Sequence, residues 1–170
     1  MPNQINITRI KAVHNILTQL DEKIAFVGGA TVSLYANREV FEVRPTDDVD
    51  VILEILSYKD RSNLEKRLRE VGFIHDIESG VLCRYQIKGI TVDIMPTDDA
   101  SIGFKNIWYP DGHEQAVLHK IDEQHEVYIL TAPHFIATKL EAFKDRGNKD
   151  GRLSTDFEDI NFVLENRNPV

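Results

Sequence analysis

Arg44-Pro45-Thr46-Asp47-Asp48-Val49-Asp50-Val51 is the stretch on which the reading of this chain turns. Val49 to Ile55 is rich in β-branched residues and reads as a strand. Strand side chains alternate, so Asp48 and Asp50 share one face while Val49 and Val51 share the other. Two adjacent carboxylates repel, and burying the pair without a counter-charge is costly. A hard divalent cation answers that cost. Mg²⁺ takes oxygen ligands, keeps some water, and is often held by one or two carboxylates plus substrate phosphates.

Two further features lie on either side. Asp93 sits inside the apolar run Thr91-Val92-Asp93-Ile94-Met95. If that strand lies beside the first, three carboxylates converge. Crowded together, their titrations couple and at least one is raised. Removing Asp93 should then relieve repulsion and leave the metal-free chain at least as stable. Upstream, the buried-strand signal Ile24-Ala25-Phe26-Val27 runs into Gly28-Gly29. A glycine pair between strand and helix lets backbone N–H groups approach a phosphate with no Cβ in the way. The bland alternatives are solvated acids on strand edges and a plain tight turn. No Gly-x-x-x-x-Gly-Lys-Ser/Thr pattern occurs, so this is not a P-loop.

The rest of the chain supplies a frame. Residues 5 to 20 carry Ile5, Ile10, Val13, Ile16, Leu17 and Leu20 at helical spacing. Ala30 to Ala36 reads as a helix and Arg38 to Thr46 as a loop. Asn63 to Val71 reads as an amphipathic helix stopped by Gly72. Val81 to Ile87 and Ile90 to Met95 form a hairpin across Lys88-Gly89. Pro96 to His125 reads as loop with short strands, and Glu126 to Leu130 as another strand. Pro133 opens a helix to about Asp145. Gly147 to Leu153 is a polar loop. Thr155 and Glu158 fit a capping box for a last helix to about Asn166. The expected architecture is α/β (α+β). A mixed β-sheet is flanked by helices, in a single domain with a core of about 24–130 and C-terminal helices of about 131–166.

Composition sets outer bounds. The chain has 170 residues, 42% hydrophobic and 28% charged, which excludes wholesale disorder and fibrous classes. Twenty basic against 28 acidic residues give −8, so a general nucleic-acid coat is excluded, though not an enzyme meeting nucleic acid at one local site. The lone cysteine, Cys83, reads as a buried thiol. No apolar leader or spanning stretch is evident, which predicts a cytoplasmic address and no membrane partner.

Val27-Gly28-Gly29, Asp48-Val49-Asp50-Val51 and Val92-Asp93-Ile94 together resemble the nucleotidyltransferase fold of the DNA polymerase β superfamily. Gly28-Gly29-Ala30-Thr31 followed by Arg44-Pro45-Thr46-Asp47-Asp48-Val49-Asp50 is similar to the AbiEii/AbiGii toxin-like nucleotidyltransferases. Ile136-Ala137-Thr138-Lys139-Leu140-Glu141-Ala142, with Arg146, Asp156 and Asp159 after it, looks like the lysine helix of that group. The likeness covers roughly 24–160. The resemblance implies a Mg²⁺- or Mn²⁺-dependent enzyme that moves a nucleoside monophosphate from an NTP to an acceptor hydroxyl on RNA, protein or a small molecule. A toxin–antitoxin or phage-defence setting goes with it. It makes Asp48, Asp50 and Asp93 the catalytic and metal-holding acids. It makes Gly28, Gly29, Thr31, Arg44 and Lys139 nucleotide contacts. Two departures are a longer gap from Gly29 to Asp48, suggesting an inserted loop around Glu39 to Val43, and an early end after the lysine helix. The alternatives are an antitoxin-like enzyme that modifies a partner protein and a non-catalytic nucleotide- or metal-binding scaffold.

Other residues carry two readings each. Lys139 contacts triphosphate or snorkels along the core edge. Arg44 steadies phosphates or pairs with Asp48. Trp108 and Tyr109 stack on a base or anchor a loop. His113, His119 and His125 recur every six residues, which fits no metal signature.

Overall fold

The computed structural model describes residues 2–37, 43–55, 57–97, 105–146 and 150–167. Helix α1 spans Pro2–Leu17 and strand β1 Ala25–Val27. The helix expected over Ala30 to Ala36 is a 3₁₀ helix over Gly29–Tyr35. Strand β2 is Asp48–Leu53 and helix α2 is Tyr58–Glu70. Helix α2 begins five residues before the expected Asn63, because Ser57 accepts a hydrogen bond from the Asp60 N–H at 3.2 Å and caps it.

Strands β3 (Ile74–His75), β4 (Arg84–Ile87) and β5 (Ile90–Pro96) follow. Lys88 and Gly89 both have positive φ, at 49° and 76°, as a two-residue hairpin turn requires. The segment read as loop with short strands holds helix α3 (Tyr109–Glu114) and strand β6 (Val117–Lys120). Strand β7 (Glu126–Ile129), helix α4 (Ala132–Asp145) and helix α5 (Thr155–Asn166) complete the order. Helix α5 is capped one residue earlier than the capping-box pattern suggested. The Ser154 hydroxyl accepts from the N–H groups of Asp156 and Phe157. The expected inserted loop lies, Val43 apart, outside the described residues.

The strands form one mixed sheet of seven in the order β3-β4-β5-β2-β1-β7-β6. β2 runs parallel to β5 and antiparallel to β1. The two faces differ. Phe26, Val49, Val51, Val92, Ile94, Val127 and Ile129 join the larger core with Ile10, Val13 and Leu17 of α1 and Leu64 and Leu68 of α2. The opposite face carries a smaller apolar patch of Ala25, Val27, Ile52, Cys83, Met95 and Leu130, with Tyr109 packed on it. Alternation puts the side chains of Asp48, Asp50 and Asp93 on this second face. The mid-strand acids are therefore explained: their strands are apolar on one side and line an open cleft on the other.

Candidate active site

The carboxylates meet because of strand register. Asp50 pairs with Asp93 across the parallel β2–β5 ladder, and Asp48 with Thr91 one step earlier on the same face. One oxygen from each of Asp48, Asp50 and Asp93 lies within 4.8 Å of the others. All three line a cleft of about 580 Å³.

The glycine turn abuts this cluster. Val27 pairs with Asp50, so the chain leaves β1 directly beside that carboxylate. Gly28 has φ 72°, and a Cβ built there would lie 2.1 Å from Asp50 Oδ2. Only glycine lets the backbone pass this close to the acid. A Cβ on Gly29 would meet Arg44 Nη2 and the Thr46 methyl, each at 2.8 Å. Thr31 is not brought to the cleft. It is fully buried, and its hydroxyl donates to the Gly28 carbonyl at 2.8 Å, which fixes the turn from behind.

The loop before β2 is held by α1. Buried Asn6 donates to the Arg44 carbonyl at 3.1 Å and accepts from the Thr46 N–H at 3.2 Å. Arg9 donates to the Thr46 carbonyl, and the Thr46 hydroxyl donates to the Asp48 carbonyl at 2.9 Å. Helix α1 thereby sets where Asp48 begins its strand. Asn6 was invisible to sequence reasoning, since its partners lie about forty residues away with no local signal.

Charge in the cleft is unevenly met. Arg84 donates from Nε and Nη2 to the two oxygens of Asp93, both at 2.8 Å, and from Nη2 to Asp48 Oδ2 at 3.1 Å. Among the described residues no hydrogen bond or ion pair reaches the Asp50 carboxylate. Burial, then the neighbouring charges of Asp48 and Asp93, push its pKa up to about 7, against the milder pull of Lys139 and Arg84. Asp48 is also raised, first by burial and then by Asp93. Asp93, expected to be a source of repulsion, is thus firmly paired, and the repulsion falls chiefly on Asp50. Arg84 is the residue that sequence reasoning missed. Its signal was present: a two-residue turn at Lys88-Gly89 pairs Ile87 with Ile90, and counting outward sets Arg84 opposite Asp93.

A second charged cluster lines the same cleft. Lys139 on α4 is buried and reaches Asp159 at 2.7 Å and Asp156 at 3.4 Å on α5. Arg146 meets Asp156 at 3.1 Å. Arg44 contacts Asp159 at 3.1 Å and Glu158 at 3.8 Å, rather than the expected Asp48. Arg84 has taken the place beside Asp48. Both Lys139 and Arg44 line the cleft, so each is an α5 partner and a cleft cation at once.

Other candidates separate by position. Tyr109 lines the cleft floor, where burial raises its hydroxyl pKa, while Trp108 is 40% exposed. His113 is buried and bonds the Lys23 carbonyl at 2.8 Å, a structural use. The buried Cys83 thiol is pushed up to about 12 and is inert as a nucleophile.

The donor set fits a hard divalent cation. Among the described residues it offers three carboxylates within ligand distance of each other, one of them with no cationic partner, and no nitrogen or sulfur ligand.

Solved structures share this fold. The antibiotic-resistance factor ANT(2'')-Ia in solution matches with a TM-score of 0.64 at 15% identity, over 97% of this chain and 85% of that one. The crystal structure of ANT(2'')-Ia in complex with adenylyl-2''-tobramycin gives 0.61 at 14%, over 93% and 88%. An antigenic nucleotidyltransferase-like protein from Paracoccidioides brasiliensis gives 0.56 at 17%, over 96% and 75%. At such identities the shared property is the nucleotidyltransferase fold. The sequence matches no family model and no curated protein. No helix among the described residues is long and apolar enough to cross a membrane.

Proposed function

We propose that the chain is a divalent-metal-dependent nucleotidyltransferase that moves a nucleoside monophosphate from an NTP to an acceptor hydroxyl and releases pyrophosphate. The observation that carries this reading is the convergence of Asp48, Asp50 and Asp93 against the Gly28-Gly29 turn on the open face of the sheet. Asp48, Asp50 and Asp93 would hold Mg²⁺ or Mn²⁺, which would supply charge neutralisation for the triphosphate.

The chain's own residues do the rest by position. The Gly28 and Gly29 amides approach the outer phosphates where a side chain would collide with Asp50 at the first position and with Arg44 and Thr46 at the second. Lys139 and Arg44 add positive charge to the lining of the cleft. Asp93 accepts the proton of the acceptor hydroxyl. Tyr109 offers an apolar ring on the floor for a base or sugar. Such catalysis is positioning and electrostatics, so it needs no protein nucleophile.

ANT(2'')-Ia is associated with an adenylylated aminoglycoside in its complex. A small hydroxylated acceptor fits a cleft of this size more readily than a folded RNA fits a chain of charge −8. A protein hydroxyl or an RNA end remains a rival, as the motif resemblance to toxin-like enzymes suggests. The reading is tested by thermal unfolding with each of the four NTPs, with and without Mg²⁺. A working site predicts stabilisation that needs both ligands together. Stabilisation without any transfer would favour the scaffold reading, and no stabilisation by any NTP would remove the nucleotide site altogether.

A further inference from the structure

Arg84 stands out in the cleft because it is a cation already seated on two of the three acids. Its guanidinium meets Asp93 as a two-pronged fork, both contacts 2.8 Å, and bridges to Asp48 Oδ2 at 3.1 Å. That geometry is the strong form of an arginine–carboxylate pair. Both Asp93 oxygens are engaged, whereas Asp50 has no such partner among the described residues and Asp48 keeps one oxygen outside the pair.

The backbone fixes this arrangement. Arg84 lies directly opposite Asp93 in the antiparallel β4–β5 ladder, and Tyr85 and Ile87 pin β4 by their burial on the other face. The Arg84 side chain is 26% exposed and lines the cleft, so its head can leave for solvent while its strand stays put.

We infer that Arg84 is a built-in counter-cation that reserves Asp93. A first divalent ion enters at Asp48 and Asp50, and a second ion can use Asp93 only by displacing the Arg84 guanidinium. The inference rests on the metal reading above. It makes Arg84 a positioning residue for the acids, and it predicts that the nucleotide-free chain is a one-ion protein by competition rather than for want of ligands. Like charge is the physical cause: a guanidinium on Asp93 repels any second cation brought to the same carboxylate.

The test is Mn²⁺ binding to the full chain without nucleotide, read from the electron paramagnetic resonance of the free ion. The wild-type chain should bind one Mn²⁺ over the range in which Arg84→Gln binds two. Arg84→Lys keeps the charge and gives up the fork, so its second ion should bind at least about tenfold more tightly than in the wild type. This variant also serves if Arg84→Gln fails to fold, as judged by circular dichroism. Two ions bound by the wild-type chain, with the affinities of the variants, would overturn the inference and leave the metal site standing. One ion in all three proteins would also overturn it. No binding in any of them would remove the metal reading together with the inference.

Discussion

Arg84 grips Asp93 through both carboxylate oxygens, at 2.8 Å each, while Asp50, one strand away in register, has no ion-pair partner among the described residues. The acids of one cluster therefore behave oppositely when removed. Asp93→Asn breaks a partly buried fork and strands the guanidinium, and it should cost on the order of 1–3 kcal/mol in the absence of metal. Asp50→Asn removes an unpaired charge and should leave stability equal or higher. Urea midpoints in EDTA at pH 8 separate the two. Equal losses would contradict the assignment of charge.

A pH dependence follows from Asp50. Its carboxyl is raised from 3.8 to about 7, so the folded chain holds a proton that the unfolded chain has released. Stability from this group is fully present below about pH 4 and is lost as pH rises through about 7. Thermal midpoints in EDTA from pH 5 to 8 should fall more steeply for the wild type than for Asp50→Asn. Proton release accompanies metal binding at pH 7 for the same reason, and calorimetry in buffers of different ionisation enthalpy would count it. Parallel curves for the two proteins would contradict the shift.

Gly28→Ala tests the turn. A methyl there falls 2.1 Å from Asp50 Oδ2 and must also adopt φ 72°. The cost should be about 1–3 kcal/mol of stability. Loss of metal-dependent NTP stabilisation should accompany it, since Asp50 must move. Retained stability with intact nucleotide binding would show that the turn has no close relationship to the acid.

Lys139 has two duties that can be separated. Lys139→Met leaves Asp156 and Asp159 buried without their shared cation, and removing one partner of a buried pair costs about 3–5 kcal/mol. In Lys139→Met with Asp159→Asn the loss should shrink, while NTP affinity stays low if Lys139 also meets phosphate. Restored affinity in the double variant would confine Lys139 to a structural role.

The acids were legible in sequence because strand alternation is a strong rule. Asp48 and Asp50 two apart, and Asp93 inside an apolar run, can share a face only one way. The hairpin at Lys88-Gly89 is equally plain, since a glycine between two strand-like runs supplies the positive φ that a tight turn needs. What stayed hidden depends on long-range packing. Asn6 reaches a loop 40 residues on, and Arg44 turned to Asp159 across 115 residues. In the segment that reads as loop with short strands, β6 is such a strand, while α3 stays hidden because Pro110 and Gly112 sit inside it and mask any helical period.

Transfer of a nucleoside monophosphate is the reaction proposed for the cleft. Incubation of the chain and Mg²⁺ with a cell extract, using each NTP labelled in turn at the α- and γ-phosphate, tests it most directly. Some acceptor should gain label from the α-position and none from the γ-position, with pyrophosphate as the other product, and Asp48→Asn should abolish the transfer. Label arriving from the γ-phosphate, or no labelling from any of the four NTPs, would contradict it.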